Sequence, residues 1–156
     1  MEENIKKDNE TTVEKKEPEF ERDWFLQTLV NMANSSTSKG LFGITLLTHG
    51  FLVSGMLVNG REYFNGFAED IASGLDDSET AKSIKENFVT MGNSVYDKRD
   101  NDDNLPPPTY IHLFDAKFFH PNGQPIPANK GVWWRGRISE ISGFSLGSLS
   151  IPIENT

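Results

Sequence analysis

The chain contains no cysteine among its 156 residues. Disulfide frameworks, thiolate metal sites and cysteine nucleophiles are therefore excluded, and the composition suits a reducing compartment. Histidine is scarce: His49 precedes Gly50, His112 lies within Tyr110-Ile-His-Leu113, and His120 precedes Pro121. None makes the paired spacing of a zinc site, so each reads as a structural side chain and no metal is expected. No apolar run approaches the roughly 18 residues of a membrane helix. Met1-Glu-Glu-Asn-Ile-Lys-Lys7 lacks the apolar core and small-residue cleavage site of a secretory signal. The expected location is the cytoplasm, with no membrane partner. The glycines form neither a phosphate loop nor a dinucleotide fingerprint, which predicts no cofactor. Asp97, Asp100, Asp102 and Asp103 lack the glycine and glutamate that complete a calcium loop, and read as a solvated stretch.

What is present is an acidic chain with enough apolar material for one core. Hydrophobic residues make up 36% and aromatics 11%, sufficient for a packed domain of this length. The net charge of −8 repels a phosphate backbone, which argues against nucleic acid as the main partner. The acidic excess lies entirely in residues 1–103, whereas residues 104–156 carry four basic side chains against three acidic ones. An acidic partner meets least repulsion in that last third.

Residues 1–19 are dominated by Glu, Lys, Asn, Asp and Thr, with Ile5 and Val13 their only aliphatics, and are expected to be a disordered charged tail. Residues 20–156 are expected to form a single domain. A helix is predicted from Phe20 or Asp23 to Ala33, with Phe25, Leu29 and Ala33 on one face beside Trp24. Period-two alternation then predicts strands over 41–47 and 51–58, joined by a turn at Thr48-His-Gly50. Asn59-Gly-Arg-Glu62 has capping-box spacing, and Phe64, Phe67, Ala68, Ile71 and Leu75 mark the inner face of the helix it opens. A second helix from Asp77 places Ile84, Phe88, Met91 and Val95 on its inner stripe. After the prolines at 106–108, strands are predicted over 110–119, 132–138 and 143–149, with a turn-rich connector at Pro121–Pro127. The fold class is α+β: an antiparallel, about five-stranded sheet or small Sm-like barrel, with an N-terminal helix and two helices between strands 2 and 3. Ile44, Val53, Phe67, Ile71, Phe88, Leu113, Trp134 and Ile138 are the expected core.

No nucleophile, base and acid come together in this pattern, so no enzyme is predicted and no catalytic residue is assigned. Val132-Trp-Trp-Arg-Gly-Arg-Ile138 stands apart. Strand alternation directs Val132, Trp134, Gly136 and Ile138 to the core and Trp133, Arg135 and Arg137 to the opposite face. Tryptophan and arginine are enriched at interaction hot spots, so Trp133, Arg135 and Arg137 are the candidate partner-binding residues. The plainer alternative pairs the arginines with Glu140 or Asp115 and lays Trp133 against a helix.

The blocks Gly43-Ile-Thr-Leu-Leu-Thr-His-Gly-Phe-Leu-Val-Ser-Gly-Met-Leu57, Glu62-Tyr-Phe64, Tyr110-Ile-His-Leu113 and Trp134-Arg-Gly-Arg-Ile-Ser-Glu-Ile-Ser-Gly-Phe-Ser-Leu-Gly147 resemble, in order, the gas vesicle accessory protein GvpU family. The resemblance spans about residues 41–149; residues 76–108 and the acidic tail match it loosely or not at all. It implies a non-catalytic accessory protein in the cytoplasm of a vesicle-forming prokaryote. Protein–protein contacts in vesicle formation, organisation or clustering would be its work. The implied partners are the gas vesicle shell or other gas vesicle proteins, with homo-oligomers and self-association also expected. A second likeness joins Val53-Ser-Gly55, Ile111-His-Leu-Phe-Asp-Ala116 and Trp134-Arg-Gly-Arg-Ile138, which are similar in order to the Sm-like barrel. It implies an RNA-binding module as the alternative function.

Overall fold

The structure, a computed structural model, describes residues 22–97, 106–120 and 124–150. The expected disordered tail, most of the aspartate-rich stretch after Asp97 and the first residues of the Pro121–Pro127 connector lie outside them. Eight elements follow in chain order: α1 (Trp24–Asn34), β1 (Gly43–Thr48), β2 (Phe51–Val58), α2 (Gly60–Ser73), α3 (Ser78–Tyr96), β3 (Tyr110–Phe119), β4 (Val132–Arg137) and β5 (Gly143–Leu146). A one-turn 3-10 helix, Ile138–Glu140, links β4 to β5. The expected α+β architecture is therefore present, with α2 and α3 between the second and third strands.

All pairings are antiparallel and the strand order is β4-β3-β2-β1-β5. The sheet is curled, as its last connection requires. Strands β4 and β5 occupy opposite edges, about 19 Å apart in a flat five-stranded sheet. Yet the link between them begins with a 3-10 turn that advances only about 2 Å per residue. Bulges help the sheet to bend. The β2–β3 register shifts between Ser54 and Met56, where a Cβ on Gly55 would meet the Phe114 carbonyl oxygen at 2.8 Å. Register also slips between β3 and β4 at Leu113/Ala116, around Asp115 with φ 49°. The Asp115 carboxylate steadies that irregularity by accepting the Gly131 N–H at 2.8 Å.

The concave face holds the core. Ile44, Leu46, Val53, Leu57, Ile111, Leu113 and Ala116 pack with Leu26, Leu29, Val30 and Ala33 of α1 and with Ile138. Each large apolar side chain so buried contributes roughly 1.5–3 kcal/mol. Helix α1 starts where the Asp23 carboxylate accepts the Phe25 and Leu26 N–H groups. Its buried stripe differs from the expected one. Leu29 and Ala33 face inward, but Leu26 and Val30 complete the stripe, while Phe25 and Trp24 stay exposed. A stripe of 26, 29, 30 and 33 fits the helical period better than strict four-residue spacing.

Helix α2 is capped by Asn59, whose side chain accepts the Glu62 N–H at 2.7 Å and donates to the Ser36 carbonyl at 3.0 Å. It packs on β3 and β4, and α3 packs mainly on α2. Met91 and Val95, expected inside, are exposed; α3 turns Gly92 and Tyr96 inward instead. The Phe64 side chain takes the space over Gly92, and a Cβ there would lie 2.7 Å from it. Leu75 is likewise exposed, lying beyond the last turn of α2. Of the eight expected core residues, Ile44, Val53, Leu113 and Ile138 are buried and the other four are half-buried. Four strand ends also differ: β1 begins at Gly43 and ends at Thr48, β5 ends at Leu146, and Ile138 enters the 3-10 turn while remaining buried.

Candidate functional site

The outer row of β4 carries Trp133, Arg135 and Arg137, as alternation predicts, and these three residues differ in environment. Trp133 is half-buried beneath α2, so close that a Cβ on Gly66 would fall 1.8 Å from its ring. Its ring centroid lies 4.7 Å from that of Phe114 and 6.3 Å from that of Tyr63. Trp133 therefore anchors the α2–α3 pair to the sheet. Arg135 and Arg137 are exposed.

The antiparallel register sets Tyr110 opposite Arg137 and His112 opposite Arg135. The Arg135 guanidinium carbon sits 3.3 Å from the centroid of the Tyr110 ring. Arg137, by hydrogen bonding to the phenol, and then Arg135 hold the Tyr110 hydroxyl below the ordinary tyrosine pKa. Tyr63 shifts the other way, because burial raises its pKa while the Arg135 charge opposes the rise. Among the described residues neither arginine has a carboxylate at ion-pairing distance. Glu140 pairs instead with His49, Nε2 to Oε2 at 3.0 Å, and Asp115 caps the Gly131 N–H. Of the plainer alternative, Trp133 lies against a helix, whereas the two arginines stack on and bond to Tyr110. Nothing local in the sequence marks Tyr110 as a partner of the arginines, because only strand register brings it to them.

The three histidines occupy unrelated places. His49 stands in the two-residue turn with Gly50, both at positive φ, a conformation suited to a tight hairpin. Thr48 Oγ1 donates to the Glu140 carbonyl at 2.8 Å, so the hairpin tip is tied to the β4–β5 link. His112 is buried among aromatic rings, 4.8 Å from Tyr63 and 5.5 Å from Tyr96 between centroids, with its Nε2 3.3 Å from the Tyr96 hydroxyl. His120 is exposed, 5.7 Å from the Phe51 ring. Among the described residues no three histidine or carboxylate side chains converge on a point that could hold a metal.

A cleft of about 290 Å³ opens on the concave side between the hairpin tip and β4. Phe51, Val53, Phe118, Trp134 and Gly136 form its apolar walls, and Thr48, His49, Arg137 and Glu140 form its rim. Trp134 folds across Gly136, where a Cβ would lie 2.1 Å from the indole. Arg137 thus belongs to both surfaces, the Tyr110 cluster outside and the cleft inside. An apolar wall beside a guanidinium group is suited to an apolar group that lies next to an anion. No helix among the described residues is long and apolar enough to cross a membrane.

Comparison with curated proteins and with solved structures finds no match. A family model does match: residues 23–149 fit the model described as gas vesicle protein GvpU-like, which covers α1 through β5 and most of the chain. The chain belongs to the GvpU-like gas vesicle protein family and is a gas vesicle-associated protein.

Proposed function

We propose that this protein is a non-catalytic accessory factor that acts on gas vesicles in the cytoplasm through protein–protein contacts, in their formation, organisation or clustering. The observation that carries the reading is the family match over residues 23–149. The mode of action is supported by Arg135 and Arg137, two exposed guanidinium groups without carboxylate partners among the described residues. Arginine offers a planar fork to a carboxylate while its face remains stacked on an aromatic ring, as Arg135 is on Tyr110. The partner is the vesicle shell or another gas vesicle protein, and Trp133 contributes by fixing the strand that presents the arginines. A shell of repeated subunits repeats any docking patch, so weak contacts gain strength if this protein also self-associates.

Flotation with isolated vesicles tests the reading. The double variant Arg135→Glu/Arg137→Glu is expected to fold and to stay behind when vesicles rise. A folded double variant that floats as well as the parent removes these arginines from the contact.

RNA binding is the second reading, and the strand order with a leading helix favours it. The net charge of −8 opposes it. Affinity for single-stranded RNA that falls steeply with salt would favour it over the vesicle reading.

A further inference from the structure

Strand β4 is an edge strand of the described sheet, so among the described residues the backbone N–H and C=O groups on its outer side have no neighbouring strand. Its side chains sort by chemistry across that edge. On the concave side Trp134 and Gly136 line the apolar cleft with Phe51 and Phe118; on the convex side stand Arg135 and Arg137. A volume of about 290 Å³ is at the small end of ligand pockets, which typically start near about 300 Å³. It suits one large side chain better than a cofactor.

We infer that the β4 edge and this cleft together bind an acidic peptide in extended conformation, one apolar side chain entering the cleft and the flanking carboxylates meeting Arg135 and Arg137. A peptide strand added to a sheet edge alternates its side chains between the two faces. An apolar residue directed to the concave face therefore has neighbours directed to the convex face, where the two guanidinium groups lie without carboxylate partners among the described residues. The alternation acidic, apolar, acidic thus matches β4 on both sides. The cleft's own carboxylate, Glu140, is occupied by His49 at 3.0 Å and leaves Arg137 available. The inference deepens the partner-binding reading and rests on it for biological meaning, whereas the site itself can be tested without vesicles.

The test is a titration of the full-length chain, followed by backbone amide and indole N–H resonances. The probe is the blocked peptide acetyl-Thr-Glu-Phe-Glu-Thr-amide. Two comparison peptides carry lysine for both glutamates or serine for phenylalanine. Saturable shifts are expected at residues 132–137, at Phe51 and at the Trp134 indole, with both comparison peptides weaker by at least about tenfold. Arg137→Gln, at an exposed position, is expected to remove the preference for glutamate over lysine while the β1 and β2 amides keep their positions. Equal binding of the three peptides, or saturable shifts confined to other elements, overturns the inference. So does an absence of saturable shifts. Shifts of the β4 amides with protein concentration alone also overturn it, because a second copy would then occupy the edge. Peptide binding that survives a failed flotation experiment leaves the site standing and rejects only its vesicle role.

Discussion

Tyr110 and Tyr63 carry the same group and respond oppositely to their surroundings. Tyr110 lies opposite Arg137 and under Arg135, and both cations favour its ionised form. Tyr63 is packed between Phe67 and His112, and burial favours its neutral form. An alkaline titration followed by tyrosinate absorbance should therefore show Tyr110 ionising below the usual value of about 10 and Tyr63 above it. Replacing Arg137 with glutamine should return the Tyr110 step upward, since its hydrogen bond is the largest cause of the shift. For stability the signs differ as well. Tyr110, with a folded pKa below the unfolded one, adds stability above the unfolded value and loses it as pH falls through the folded one. Tyr63, with a raised folded pKa, adds stability below the unfolded value and loses it as pH rises through the folded one.

Helix α3 illustrates how an element can be identified from its period and still be rotated about its axis. Its start is well marked, because the Asp77 carboxylate accepts the Thr80 N–H at 2.9 Å. Its apolar residues, however, spread around more than one stripe. Ile84 and Phe88 are half-buried, with Phe88 edge-on to Phe67 at 5.4 Å, but one turn later Gly92 replaces a large side chain at the contact. Met91 and Val95 are left about half exposed, each at 50%. Changing both to glutamine should alter unfolding free energy by no more than about 0.5 kcal/mol per site, as for other surface substitutions. Phe88→Ala should cost about 2–4 kcal/mol, because it opens space between the two helices. Urea unfolding of the variants checks both. A large loss from Met91→Gln and Val95→Gln would mean that this stripe packs after all.

At the scale of the molecule, the curled sheet and α1 enclose one core, and α2 and α3 form an outer layer held through Trp133. Residues 1–18 offer almost no apolar surface to add to it. Their deletion is expected to shift the melting temperature by less than about 2 °C, since so little apolar surface weighs little against the entropy of ordering a chain segment. Scanning calorimetry of the shortened chain decides this, and a drop of many degrees would show that the segment docks on the domain.

Local chemistry in the sequence determined much of this protein: the absence of cysteine chemistry, the element order, the β1–β2 turn at His49-Gly50, the Asn59 and Asp77 caps, and the two-sided pattern of β4. Each depends on neighbours within a few residues, and such interactions survive reading along a line. Tertiary structure alone decided which residues meet across the fold. Register set Tyr110 against Arg137 rather than giving the arginines Glu140 or Asp115, and a one-residue slip would have undone it. Close helix approach at Gly66 and Gly92 put Trp133 under α2 and left Met91 and Val95 outside. Curling of the sheet brought Phe51, Phe118 and Trp134 from three strands into one cleft beside Arg137. These contacts join residues up to about ninety positions apart, and the packing of whole elements, not local propensity, selects them.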